Sequence, residues 1–177
     1  TRKKDKTAKA WKRMRKAFAY HTSDNLMLTA VSPWVKGRQQ MSPITGSFEC
    51  VVVENGVDTA IYHSYDNKNL SGTPIVFHAA AHFTTNPDDI KGGYYVFELA
   101  KRMPQVQFRV ACSYLGTIGD VPANVQMLGN ITDAEMLARH YSEANLCLLV
   151  SKRETFSMIT AESLCCGTPV VGFKAGG

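Results

Sequence analysis

No stretch of about 18 apolar residues occurs anywhere in this chain, so no membrane-spanning helix is expected. The N-terminus is basic but no apolar core follows it, so it does not read as a secretory leader. CxxC spacing is missing as well. The five cysteines, Cys50, Cys112, Cys147, Cys165 and Cys166, form an odd and scattered set, as expected of reduced thiols in a cytosol. Neither they nor the five histidines gather at metal-ligand spacing, and no acidic cluster stands in for them, so no metal is expected. Internal repeats and low-complexity tracts are absent.

Positive charge is scarce once the first 20 residues are passed. Those 20 hold nine Lys/Arg and one Asp, a net +8, whereas the remaining 157 hold eleven Lys/Arg and fourteen Asp/Glu, a net −3. A nucleic-acid-binding domain more often spreads basic residues over a folded face, so no nucleic acid is expected for the body of the chain. What is plentiful is apolar content, 45% of 177 residues, enough for one domain or one domain plus a fragment.

Residues 8–20 read as an amphipathic helix, with Trp11, Met14, Ala17 and Phe18 opposite Lys9, Lys12, Arg13, Arg15 and Lys16. Two uses suit it: peripheral contact with an anionic membrane surface, or packing of its apolar side on further protein. LMLTAV (26–31) reads as a strand, and Ser32-Pro33 as the cap and first position of a short helix to about Met41. FECVVVE (48–54) is a second strand closed by Asn55-Gly56, and the polar stretch 63–73 looks like a linker.

Regular β/α alternation then begins. Strands are expected at 74–80, 106–112, 125–129, 146–150 and 168–173, and helices at about 92–103, 133–144 and 156–166. The continuous apolar runs PIVFHAA and LCLLV suit buried parallel strands. The pattern implies an α/β, Rossmann-like parallel sheet with flanking helices, whose ligands bind outside the carboxyl ends of the strands.

The informative stretch is SKRETFSMITAESLCCGTPVVGFKAGG, residues 151–177. With LCLLV as a buried strand, Ser151 to Thr155 form the loop at its carboxyl end. A helix opening near Phe156 would aim its free amides at the ligand crevice, which suits a diphosphate. Glu154 then sits at the helix lip and Glu162 inside it, about 12 Å further along the axis at 1.5 Å per residue. That is roughly the span from a ribose to a hexose across two phosphates.

Two glutamates separated by seven residues, followed by CGTPVV and a glycine pair, resemble the signature of the retaining family-4 glycosyltransferases of GT-B fold. VPANVQMLGNITDAEMLARHYSEANLCLLVS is similar to that family's "pdNV..lG.i.d.el...Y..A...v.pS" run. VVVENGVDTAIY resembles its interdomain crossing, IKGGYYVFELAKRMP its "KG...li.A...l" helix start, and VSPWVK the "vS.wl" segment that closes the acceptor domain. The resemblance covers residues 25–177, with the motifs in the family's order.

The resemblance implies a division into the end of an acceptor-side domain (1–54), a crossing and linker (55–73), and an incomplete nucleotide-sugar-binding domain (74–177). It implies that Glu154 contacts the donor hexose as the catalytic residue. The backbone of Thr155, Phe156 and Ser157 would line the phosphates, and Lys91 with Gly92 would meet the diphosphate. Glu162 would hold the ribose, and Gly129, Asn130 and Ile131 would lie beside the base. The substrate would be a nucleotide sugar, the acceptor a saccharide or lipid-linked saccharide, and the setting cytoplasmic, without metal or other cofactor. The chain alone would be inactive, since only the tail of the acceptor side is expected in it.

The sequence departs from the family twice. No Arg precedes Lys91-Gly92, where His82 is nearest, and Ser157 stands where the family often has Gly. Two other functions stay open at this point: a sugar-nucleotide epimerase of similar fold, and a non-enzymatic nucleotide- or nucleic-acid-binding module.

Overall fold

The computed structural model describes residues 7–22, 24–66, 68–114 and 118–176. The basic residues within 1–6 and the final Gly177 lie outside these. The chain parts into two compact units at Asn55–Gly56.

In the first unit, α1 (Thr7–Phe18) is followed by β1 (Leu28–Ala30), α2 (Pro33–Gln40) and β2 (Cys50–Val52). β1 and β2 pair in parallel, Leu28 opposite Cys50 and Ala30 opposite Val52, so α2 is a crossover helix. Its start follows from the residues. Pro33 fits the first helical position, and Ser32 Oγ accepts the Val35 amide at 3.3 Å. α1 buries none of its residues.

The second unit carries the parallel sheet. Its strands are β3 (Ile75–Phe83), β4 (Gln107–Tyr114), β5 (Val125–Gly129), β6 (Leu146–Leu149) and β7 (Val170–Gly172). They lie side by side as β5-β4-β3-β6-β7, every pair parallel. α3 (Gly93–Arg102), α4 (Ala134–Glu143) and α5 (Met158–Cys165) cross between them. Alternation along the strands builds two cores. Val76, Phe108, Val110 and Leu148 meet Val96, Phe97 and Ala100 of α3 on one face. Ile75, Phe77 and Cys147 meet Ala138 and Tyr141 of α4 and Cys166 after α5 on the other. The architecture is Rossmann-like, as the β/α alternation predicted.

A register shift between Ala80 and His82 reverses the alternation along β3. Even-numbered Val76 and odd-numbered Phe83 therefore serve the same core. The chain runs from β3 outward through β4 to β5, then returns to lay β6 on the other side of β3. The β3/β6 seam is the switch point, where ligands of open α/β sheets bind.

The described residues of 63–73 hold no helix or strand, yet they are strapped to the second unit. The Asn69 amide donates to Glu143 O at 3.1 Å, and Lys68 Nζ to Ala144 O at 2.8 Å and to Thr168 Oγ1. These carbonyls belong to the C-terminal end of α4, whose last oxygens have no partner within the helix. The polar, turn-rich stretch expected as a linker thus supplies donors that close a helix end.

Candidate functional site

Two loops meet at the carboxyl ends of the seam strands, residues 84–92 after β3 and 150–157 after β6. The Lys152 amide donates to Ile90 O at 2.8 Å, and Lys152 Nζ reaches Pro87 O. Lys91 Nζ donates to Glu154 Oε1 at 2.9 Å, with the two side chains only 23% and 14% exposed. Lys91 and Glu154, expected on the diphosphate and the hexose, are thus brought together directly.

Gly92 caps α3 with φ +74°, a left-handed conformation that glycine adopts without penalty. A Cβ there would strike the Val150 carbonyl oxygen, so only glycine lets the two loops close. Asp89 holds the turn from below. Its Oδ2 accepts the Lys91 amide at 2.8 Å, and its Oδ1 lies 3.1 Å from His82 Nε2. Burial would raise the Asp89 carboxyl, but the bonds from His82 and from the Lys91 and Gly92 amides outweigh it and hold it below its ordinary value. The sequence reading missed Asp89. Its signal was an Asp two residues before a functional backbone amide, the spacing of an Asx turn.

α5 begins two residues later than expected. Ser157 is its N-cap, at φ +66° and ψ +78°, and its Oγ accepts the Thr160 amide at 3.3 Å. A non-glycine residue in this region is strained, and it sits where the resembled family often carries glycine. Because the helix starts at Met158, Glu154 stands in the preceding loop. The expected axial separation of Glu154 and Glu162, about 12 Å, assumed one continuous helix between them; the left-handed turn at Ser157 breaks that helical path. Thr155 is exposed and Phe156 half-buried, both in that loop. The first turns of α3 and α5 both open at the seam's carboxyl side, so two sets of helix amides without intrahelical partners lie there.

Glu162 is half-buried on α5, and Tyr141 donates its hydroxyl to Glu162 Oε2 at 3.2 Å. Burial raises the Glu162 carboxyl, and the Tyr141 bond partly opposes the rise. Gly129, with φ +76°, ends β5 at the same carboxyl edge. Asn130 is exposed, and Ile131 packs on the core shared with Ile159 of α5 and Tyr141.

His78 is buried inside β3 at 1% exposure. Its Nδ1 lies 2.9 Å from Leu148 O, an acceptor, so Nδ1 carries the proton. The β3–β6 pairing runs through Val76–Leu146 and Phe77–Cys147, and just beyond it the imidazole bonds a β6 carbonyl across the seam. Burial, aided by the Lys91 charge, lowers its basicity below the ordinary value despite the Leu148 bond. Among the described residues, no three His, Cys, Asp or Glu side chains gather as a metal site, and no helix is long and apolar enough to cross a membrane.

Residues 95–177 match a family described as Glycosyl transferases group 1. A D-inositol 3-phosphate glycosyltransferase of Geodermatophilus obscurus is 42% identical over 43 residues, 24% of this chain and 10% of that protein. Among solved structures, a sucrose-phosphate synthase from Thermosynechococcus elongatus superposes with TM-score 0.76 at 20% identity, over 98% of this chain and 46% of that one. HepE of Anabaena, solved with UDP and glucose, superposes with TM-score 0.67 at 21% identity, over 94% of this chain and 49% of that one. The chain therefore spans less than half the length of either structure. These neighbours are GT-B glycosyltransferases, and at such identity the likeness establishes a shared fold.

Proposed function

We propose that the second unit binds a nucleotide sugar across the β3/β6 seam, as the donor-binding part of a retaining glycosyltransferase. The observation that carries this reading is the Lys91–Glu154 pair, 2.9 Å apart at the switch point, where α3 and α5 both begin. A cation and two helix N-termini make a field suited to a diphosphate, and a neighbouring carboxylate suits sugar hydroxyls.

Lys91 and the backbone of Thr155, Phe156 and Ser157 take the phosphates, with Gly92 giving them room to approach. Glu154 accepts hydrogen bonds from the hexose, Glu162 from the ribose, and residues 129–131 flank the base. Transfer breaks the bond between the anomeric carbon and the diphosphate oxygen, and negative charge develops on that oxygen. Lys91 and the helix amides are already oriented to meet the charge. The acceptor, a saccharide or lipid-linked saccharide, contributes a hydroxyl that attacks from the face the diphosphate leaves, its proton passing to the departing diphosphate oxygen, which retains configuration. Without ligand, Lys91 and Glu154 neutralise each other; with it, each also meets a substrate group.

Titration calorimetry with UDP, ADP, GDP and their glucose conjugates, with chelator and then with magnesium, tests the reading. Binding of one nucleotide and its sugar in chelator is the expected result. No binding by any of them, or a strict need for magnesium, overturns it.

A further inference from the structure

Tyr141 on α4 is 0% exposed, its ring edge-on to Phe77 with centroids 5.0 Å apart. Aromatic packing of this kind fixes the ring, and the fixed ring aims a single polar atom. That hydroxyl is donated to Glu162 Oε2 at 3.2 Å. Tyr62 lies beside Tyr141, centroids 6.5 Å apart. The bond engages one carboxylate oxygen, Oε2, and leaves Oε1 as the second acceptor of the group.

A glutamate's terminal torsion is broad, so an unheld carboxylate samples many planes. One bond from a rigid donor selects a plane. We infer that Tyr141 is a positioning residue for Glu162: its hydroxyl pins Oε2 so that Oε1 is presented to the 2′,3′-diol of a ribonucleotide. Tyr141 touches no ligand, because it is fully buried behind the carboxylate. The inference rests on the reading above that Glu162 faces the ribose. The charge balance agrees with it, since the same hydroxyl opposes the burial that would protonate Glu162.

The test measures ribose preference, the ratio of affinities for a nucleoside diphosphate and its 2′-deoxy counterpart. UDP, ADP and GDP are each compared with the deoxy form on the 177-residue chain. Wild type is expected to prefer the ribose form by about tenfold, the scale of a hydrogen bond to a charged group. Tyr141→Phe keeps the ring and removes the donor, and its preference should fall to about threefold or less. Partial unfolding lowers both affinities together and leaves the ratio unmoved, so a merely structural role for Tyr141 would not change it. If Tyr141→Phe gives no soluble protein, Tyr141→Met fills a similar space, donates nothing, and is measured in the same way. In a Glu162→Ala background, removing the hydroxyl should change the ratio no further. A wild-type preference that survives intact in Tyr141→Phe overturns the inference alone. Wild type without ribose preference overturns the placement of Glu162 on the ribose, and the inference with it.

Discussion

Lys91 and Glu154 are 63 residues apart in the chain and joined by a 2.9 Å ion pair. The pair couples two groups assigned to opposite parts of one ligand. On the proposed reading, a phosphate at Lys91 shares the ammonium with the Glu154 carboxylate, whose negative charge beside it opposes the phosphate. Glu154→Ala should therefore leave binding of a plain nucleoside diphosphate unchanged or tighter. Binding of the nucleotide sugar should weaken by about tenfold, through loss of a charged acceptor for the hexose hydroxyls. Calorimetry on both ligands reads the difference. Weakening of the plain diphosphate by the same factor would show that Glu154 serves the loop fold rather than the sugar.

Gly92→Ala places a methyl group against the Val150 carbonyl oxygen, on a backbone at φ +74°. Strain and collision together should cost on the order of 2 kcal/mol or more. Denaturant melts should show this, and nucleotide binding should fall as Lys91 moves. A variant as stable as wild type, with full affinity, would contradict the tight approach of the two loops.

Ser157 separates cap from strain. Ser157→Gly relieves the left-handed conformation while losing only a few tenths of a kcal/mol of capping. It should be neutral or more stable than wild type. Ser157→Ala keeps the strained backbone and loses the Oγ bond to the Thr160 amide, so it should cost about 1 kcal/mol. Thermal melts of the two variants should move in opposite directions or differ clearly; equal destabilisation would remove the argument from φ.

The pH dependence of Glu162 follows from its raised carboxyl. Accepting ribose hydroxyls favours the charged form, so ribose preference should decline as pH falls through a value above the ordinary glutamate range. Stability has the opposite sign. A carboxyl raised on folding favours the folded state below its unfolded value, and loses that contribution as pH rises through the folded value. Glu162→Gln should therefore gain melting temperature relative to wild type at pH 8 more than at pH 4, while losing ribose preference. A constant offset across pH would sink the assignment.

Much of the second unit was legible from residue order alone. The apolar runs at 74–80 and 146–150 and the helical periods between strands place the loops that follow them, 82–90 and Ser151–Thr155, at one sheet edge; the folded strand β3 runs on to Phe83 and the second loop on to Ser157. The Ser32-Pro33 start of α2 was legible because capping is local chemistry. The internal arrangement of the loops was not. That His82 meets Asp89, that Lys91 meets Glu154, and that Lys68 and Asn69 close the end of α4 all depend on partners brought near only by the folded sheet. The late start of α5 escaped for another reason: serine at a left-handed position is uncommon, so the local pattern favours continuing the helix back to Phe156.

The imidazole of His78 has a mechanical meaning. Strands β3 and β6 pair at two register positions; beyond them the imidazole bonds Leu148 O, and the two halves of the sheet meet again in the loops, through Lys152 N to Ile90 O and Lys91 to Glu154. Compliance concentrates there, and small rotations of one part of the sheet against the other cost least along that line. Lys91 rides on one part and Glu154 on the other, so their separation gauges the rotation. Hydrogen exchange at the amides just beyond Phe77 and Cys147 reports it, and a ligand gripping both sides should slow that exchange first.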